Sequence, residues 1–315
     1  MYPLKFENLY YPKIWGGRDF EIFRDNFEQG NIGESWDVAC HKNGTSVVAN
    51  GSFKGMNLEA LIKEKKEALV GTKISLDKFP LLVKLINARD KLSVQVHPND
   101  EYAHRVEGEL GKTEVWYVIE ALEGANLIVG TKEGCTKDDL KQAIEKGELE
   151  KHLNKIYVKK GDVYFVQSGL IHAIGEGVVI AEIQQNSDTT YRLYDYNRGR
   201  EIHIKKGLEV VNLDLKGQRV EGKKISYDGF CKTELCKCKD FVLEKFEIHS
   251  QMEEESDVER FYIYTCIEGK GQIAYDKGVV ELAKGDSILI PATLGKYKIK
   301  GNLQILKSYV PELGK

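Results

Sequence analysis

Two histidines and a glutamate, His97, Glu114 and His172, form a candidate metal set. Two neutral imidazoles and one carboxylate suit a catalytic zinc, which keeps a further position open for water. Gln95, two residues before His97, would add a neutral oxygen. The gaps are wide, 17 residues from His97 to Glu114 and 58 from Glu114 to His172. Spacing of that kind carries little specificity, and the strands around these residues are more informative.

Successive side chains of a strand point to opposite faces. In residues 92–97, Ser93, Gln95 and His97 share a face. In residues 112–116, Lys112 and Glu114 share one. In residues 180–194 the even positions include Glu182, Gln184, Asp188 and Arg192, whereas Val179, Ala181 and Ile183 are apolar. A polar face on one strand is ordinarily solvated. Three such strands in one unit describe instead a barrel interior lined by Gln, His, Glu, Lys and Arg. That interior is costly unless it binds something, and a metal together with an anion would satisfy its groups. Lys84 lies inside the otherwise apolar run 81–86. A lysine there either protects an edge strand or meets a buried partner or ligand.

The elements that must hold these residues read as mainly β, because aromatic and β-branched runs alternate with glycine turns. The stretch from Glu114 to Gly124 resembles that from Glu259 to Gly269. Gly161-Asp162 is matched by Gly285-Asp286. The same β unit thus occurs twice, with extra residues in the first copy. Two jelly-roll barrels follow, with helical insertions in the first. A helix capped by Asn57 is expected up to Gly71, and another after Thr136, where Asp139 completes a capping box. We place the first unit at residues 1–235 and the second at 236–315. In the second copy Glu247-Ile248-His249 aligns loosely with Gln95-Val96-His97, Glu259 with Glu114, and Lys296 with His172. That copy is expected to lack a metal site and to cover the first barrel.

The chain has 315 residues, 42% of them hydrophobic, which excludes a disordered protein. Lys and Arg total 46 against 49 Asp and Glu, a net charge of −3, so no global basic field invites nucleic acid. No apolar run approaches the ~20 residues that cross a bilayer, and the N-terminus carries no signal core. A cytoplasmic protein is expected. Cys231, Cys236 and Cys238 lack paired metal-knuckle spacing and read as free thiols.

Residues 161–172 resemble the second cupin motif, with Gln167 where proline is usual. The wider pattern resembles the short bacterial type I mannose-6-phosphate isomerases. It rests on Trp15-Gly16-Gly17, Gly33-Glu34-Ser35-Trp36, Lys84, Ser93 through Pro98, Gly111 through Glu114, and Gln185 through Arg192. The resemblance implies an aldose–ketose isomerase with one Zn²⁺ per chain on Gln95, His97, Glu114 and His172. It implies Arg192 and Lys112 as catalytic cations with Glu182 and Asp188 as acidic partners. Lys84, Ser93 and Trp15 then line a sugar-phosphate pocket. It also implies a small sugar-phosphate partner, with no nucleic acid or membrane, for a monomer or homodimer. The residues alone leave two alternatives open: an iron-dependent cupin enzyme, and a non-enzymatic sugar-phosphate-binding bicupin.

Overall fold

The computed structural model describes residues 1–24 and 30–311. The first unit is a sandwich of two antiparallel sheets. One runs Val163–Val166, Glu114–Ala121, Val178–Gln185, Leu81–Ala88, Ile32–Val38, Leu9–Gly17. The other runs Leu153–Tyr157, Asn126–Thr131, His172–Ile174, Val94–Val96, Tyr191–Tyr194. Trp116, Val118 and Ile180 from the first sheet meet Leu127, Val129 and Ile174 from the second in one apolar cluster. This is the closed β architecture expected of a jelly roll.

Alternation explains how one sheet serves two cores. Val83, Leu85, Val115, Tyr117, Ile119, Val179, Ala181 and Ile183 point away from the sandwich. They pack against Leu243, Phe261, Ile263, Ile267, Leu289 and Leu306 of the second unit. The even-numbered neighbours therefore face the first barrel's interior. Both faces are buried, so these strands read as continuous apolar runs interrupted only where the interior is polar.

The second unit is a nine-stranded antiparallel sheet built around the long strands Tyr262–Tyr275 and Lys296–Tyr309. Its interior holds Phe246, Tyr264, Ile273, Tyr297 and Ile305. The boundary at 235/236 needs correction, because it cuts through the strand Phe230–Lys237. That strand and Lys223–Tyr227 both belong to the second unit's sheet, and Leu4–Lys5 from the N-terminus pairs with Ser287–Ile290. Lys223–Tyr227 is exposed throughout, so it shows no half-buried alternation that sequence reading could use. A buried cluster also ties the units: Arg24 bonds Ser35, Asp37 and the Gly285 carbonyl, and Ser287 donates to Asp37.

The repeat is real, but its register differs from the sequence pairing. Val118 exchanges backbone bonds with Gly161 and Asp162, and Cys266 does the same with Gly285 and Asp286. Val118 therefore matches Cys266, a displacement of three residues from the alignment of Glu114 with Glu259. An odd shift moves every side chain to the other face. The position equivalent to Glu114 is Tyr262. The corrected register also pairs Glu120 with Glu268 and Lys160 with Lys284. These four charges meet where the units join. Lys160 lies 3.1 Å from Glu120 and 2.6 Å from Glu268, and Lys284 lies 2.6 Å and 3.7 Å from the same two.

Helices are few. Asn57 caps Leu58–Lys65 by accepting from the Ala60 N–H, but the expected single helix is two, since Lys66 at φ 49° breaks it before Glu67–Val70. The Thr136–Asp139 capping box forms as expected and opens Lys137–Glu145. Asp100–Glu107, capped by Asn99 and closed by Gly108, and Ile204–Val210 are additional helices. Both have fewer than nine residues, too short for a clear helical period.

Candidate active site

Each member of the triad sits where strand pairing puts it. His172 opens a strand and lies opposite Gln95. Gln95 in turn lies opposite Arg192. On the facing sheet, Glu182 lies opposite both Trp116 and Lys84, and Gln184 lies opposite Glu114. Two walls of one basin are thereby fixed by register alone.

At the centre, Glu114 Oε2 is 3.7 Å from His97 Nε2, and Glu114 Oε1 is 3.4 Å from His172 Nε2. One ligand atom from each residue falls within 4.8 Å of the others. All three residues are buried, and both Glu114 oxygens lack a hydrogen-bond partner. The Nδ1 atoms are held by backbone carbonyls, His97 by Thr189 at 3.0 Å and His172 by Leu170 at 2.8 Å. A carbonyl only accepts, so each Nδ1 carries the proton and each Nε2 presents a lone pair to the centre. Burial and the Lys112 ammonium keep His97 well below the usual imidazole range, and burial brings His172 down to about 4. Neutral imidazoles beside a buried carboxylate that lacks a hydrogen-bond partner fit a divalent metal.

Gln95 is adjacent, with Nε2 3.4 Å from His172 Nε2. Rotating its amide by 180° would direct Oε1 there instead. Lys112 Nζ lies 3.2 Å from His97 Nε2 and 3.4 Å from Glu114 Oε2, so this ammonium borders the metal position itself.

Lys84 occupies the adjoining wall, not an edge strand. Its Nζ is 3.7 Å from Glu34, 3.8 Å from Glu182 and 3.9 Å from Asp188, and 4.8 Å from the Trp36 ring centroid. Burial opposes its charge, but the three carboxylates outweigh burial and raise its pKa. Glu182 accepts from Trp116 Nε1 at 2.9 Å. Burial, reinforced by Glu114, pushes the Glu182 carboxyl up to about 7. Asp188 is 37% exposed at the mouth and accepts from Asn43 Nδ2 at 3.0 Å.

Arg192 is oriented by two bonds, Nε to Ser93 Oγ at 3.3 Å and Nη1 to the Glu201 carbonyl at 2.7 Å. Ser93 therefore meets Arg192 in the basin wall. Trp15 is 3% exposed and packs in the apolar cluster with Trp116 and Ile86.

Glu34 is a residue that sequence reading did not single out by itself. It shares the even-numbered face of its strand with Trp36, whose Nε1 donates to it at 2.9 Å. Burial opposes its charge, but Lys84 and Lys13 hold its carboxyl at about 2. A depressed folded pKa contributes stability above the unfolded value, lost as pH falls toward the folded one. Glu34→Gln should cost about 3 kcal/mol at pH 7. The difference from the unsubstituted protein should narrow to about half by pH 3 and close toward pH 2. Urea midpoints measured across that range check it, and a pH-independent difference would refute it.

The corresponding pair in the second unit is charge-inverted. Lys307 lies opposite Tyr264 and Glu244, as Glu182 lies opposite Trp116 and Lys84. Glu244 thus stands for Lys84 and Lys307 for Glu182. Lys307 is 2.9 Å from Glu254 and 3.8 Å from the Tyr262 ring centroid, while Glu244 is 2.6 Å from Lys232. These charges pair among themselves. Glu259 instead lies 2.8 Å from Arg260, and His249 and Lys296 are exposed, so none of the sequence-matched stand-ins forms a second triad.

Fold and site together define a two-barrel cupin with a His–Glu–His metal position in its first barrel. A family model for the mannose-6-phosphate isomerase cupin domain matches residues 231–310, and one for the phosphomannose isomerase type I catalytic domain matches residues 4–116. The mannose-6-phosphate isomerase ManA of Bacillus subtilis is 39% identical over 98% of this chain and 99% of its own length. The mannose-6-phosphate isomerase of Streptococcus mutans is 38% identical with the same shares covered. A crystal structure of the Bacillus subtilis mannose 6-phosphate isomerase superposes with a TM-score of 0.91 at 35% identity, over 98% of this chain and 99% of that one. The chain belongs to the type I mannose-6-phosphate isomerase family. Among the described residues no helix is long and apolar enough to cross a membrane.

Proposed function

We propose that this protein interconverts mannose 6-phosphate and fructose 6-phosphate. The observation that carries the reading is a metal triad opening onto a basin shared by Lys84, Lys112, Glu182 and Arg192, in a chain of this family. In the open-chain sugar the reaction moves hydrogen from C2 to C1 and a hydroxyl proton from O2 to O1, so atoms balance without an oxidant. It needs a base near C1 and C2, positive charge for the developing enediolate, and a clamp for the phosphate.

His97, Glu114 and His172, with Gln95 beside them, would hold one zinc per chain. Zinc there supplies positive charge that polarises sugar oxygens without redox chemistry. Glu182 is the better placed proton carrier, being buried and held by Trp116, whereas Asp188 sits at the mouth and orients Lys84. Lys112 and Arg192 supply the remaining positive charge, and Arg192 has the planar fork that suits a phosphate or enediolate. Six unbridged cysteines support a reducing, cytoplasmic setting.

A coupled assay for fructose 6-phosphate formed from mannose 6-phosphate tests the reading. Chelation should abolish activity and added zinc should restore it. A flat assay with one metal per chain would favour a binding protein, and full activity in metal-free protein would refute the metal's role.

A further inference from the structure

Three successive backbone N–H groups lead into Glu114, and each is held from outside the basin. Gly111 donates to Asp100 Oδ1 at 3.0 Å, Lys112 to the Pro98 carbonyl at 3.0 Å, and Thr113 to Gln185 Oε1 at 2.9 Å. Gln185 returns its own backbone N–H to the Thr113 carbonyl at 3.1 Å, and its Nε2 donates to the same Asp100 Oδ1 at 2.8 Å. Asp100 Oδ2 faces Lys239 Nζ at 2.6 Å, from the turn after the second unit's strand Phe230–Lys237. Gly111 packs so closely here that a Cβ would lie 2.5 Å from the Asp100 nitrogen.

Asp100 also sits three residues after His97. It therefore joins the segment bearing one triad histidine to the segment bearing Lys112 and Glu114. Inside the basin the Lys112 ammonium makes the same join, 3.2 Å from His97 Nε2, and Asp100 braces it from outside. We propose that Asp100 is a positioning residue: by accepting from Gly111 and Gln185 it sets the His97–Glu114 separation and the placement of Lys112. The proposal rests on the metal-assisted reading above.

The spacing of ligand atoms controls metal affinity, and groups that orient ligands typically change it 10–100-fold. Asp100→Ala should raise the zinc dissociation constant, read by chelator competition, about tenfold. It should lower kcat by a similar factor while KM stays within about twofold, since Asp100 bonds Gly111, Gln185 and Lys239 and none of Lys84, Ser93 or Arg192. Asp100→Asn keeps an oxygen acceptor and should remain within about threefold of the unsubstituted protein on both readouts. If Asp100→Ala does not fold, Gln185→Leu removes the other arm at similar volume and carries the same expectation.

A merely structural role would lower the melting temperature and leave the dissociation constant in place. Asp100→Ala with unchanged zinc affinity overturns the proposal, and so does an Asp100→Asn protein as impaired as Asp100→Ala. Should the unsubstituted protein bind zinc but lack isomerase activity, the functional reading fails, and the affinity measurements still decide the role of Asp100.

Discussion

Glu114→Gln is expected to lose metal retention and turnover together. Glu114 is the sole carboxylate of the triad, fully buried, with neither oxygen hydrogen-bonded. Its neutral replacement leaves two imidazoles facing the Lys112 ammonium, which lies 3.2 Å from His97 Nε2. Without the carboxylate, that ammonium repels a dication rather than sharing a counter-charge with it. Affinity should fall by more than the roughly 100-fold typical of losing a group that only orients a ligand. Metal content after gel filtration and chelator competition measure the effect. One tightly held metal per chain in the Gln variant would disprove the assignment of Glu114.

The second large effect separates metal binding from charge stabilisation. Arg192→Ala should cut kcat by about 10²–10³, the range for losing a preorganised donor to a developing oxyanion. Metal content should stay near one per chain. Arg192 bonds Ser93 and the Glu201 carbonyl, and neither bond reaches the triad. Burial and the nearby Arg200 lower its pKa from the usual guanidinium value. Arg192→Lys should rescue only part of the activity, because an ammonium lacks the planar fork held by Ser93 and Glu201. Metal loss in Arg192→Ala would show that Arg192 supports the ligand set and would refute this division of labour.

Much of the basin was readable before any fold was known. Ser93, Gln95 and His97 share a face because they alternate, as do Lys112 and Glu114, and strand geometry makes parity a strong constraint. Lys84 shows the limit of that reading. Its apolar run is compatible with an edge strand or a buried one. The answer depends on Glu34, Glu182 and Asp188, which approach from two other stretches of chain. Glu34 was visible only as part of a resemblance, because its partner Lys84 lies fifty residues away.

The repeat teaches the same lesson at larger scale. Matching Glu114 with Glu259 found a true duplication, since both strands are rich in the same residue types. Composition tolerates a three-residue slip, whereas hydrogen bonding does not. Only the bonds of Val118 and Cys266 set the register, and with it the inversion of Lys84–Glu182 into Glu244–Lys307.

The amino-acid sequence by itself determined the β architecture, the two unequal units, and which side chains turn inward, because these follow from local periodicity and turn chemistry. Tertiary structure alone decided how those inward faces meet. The separation of His97, Glu114 and His172, the partners of Lys84, the bracing of residues 111–113 by Asp100 and Gln185, and the unit boundary all join distant segments. Their free energies reside in pairings between strands, which no single stretch of sequence contains.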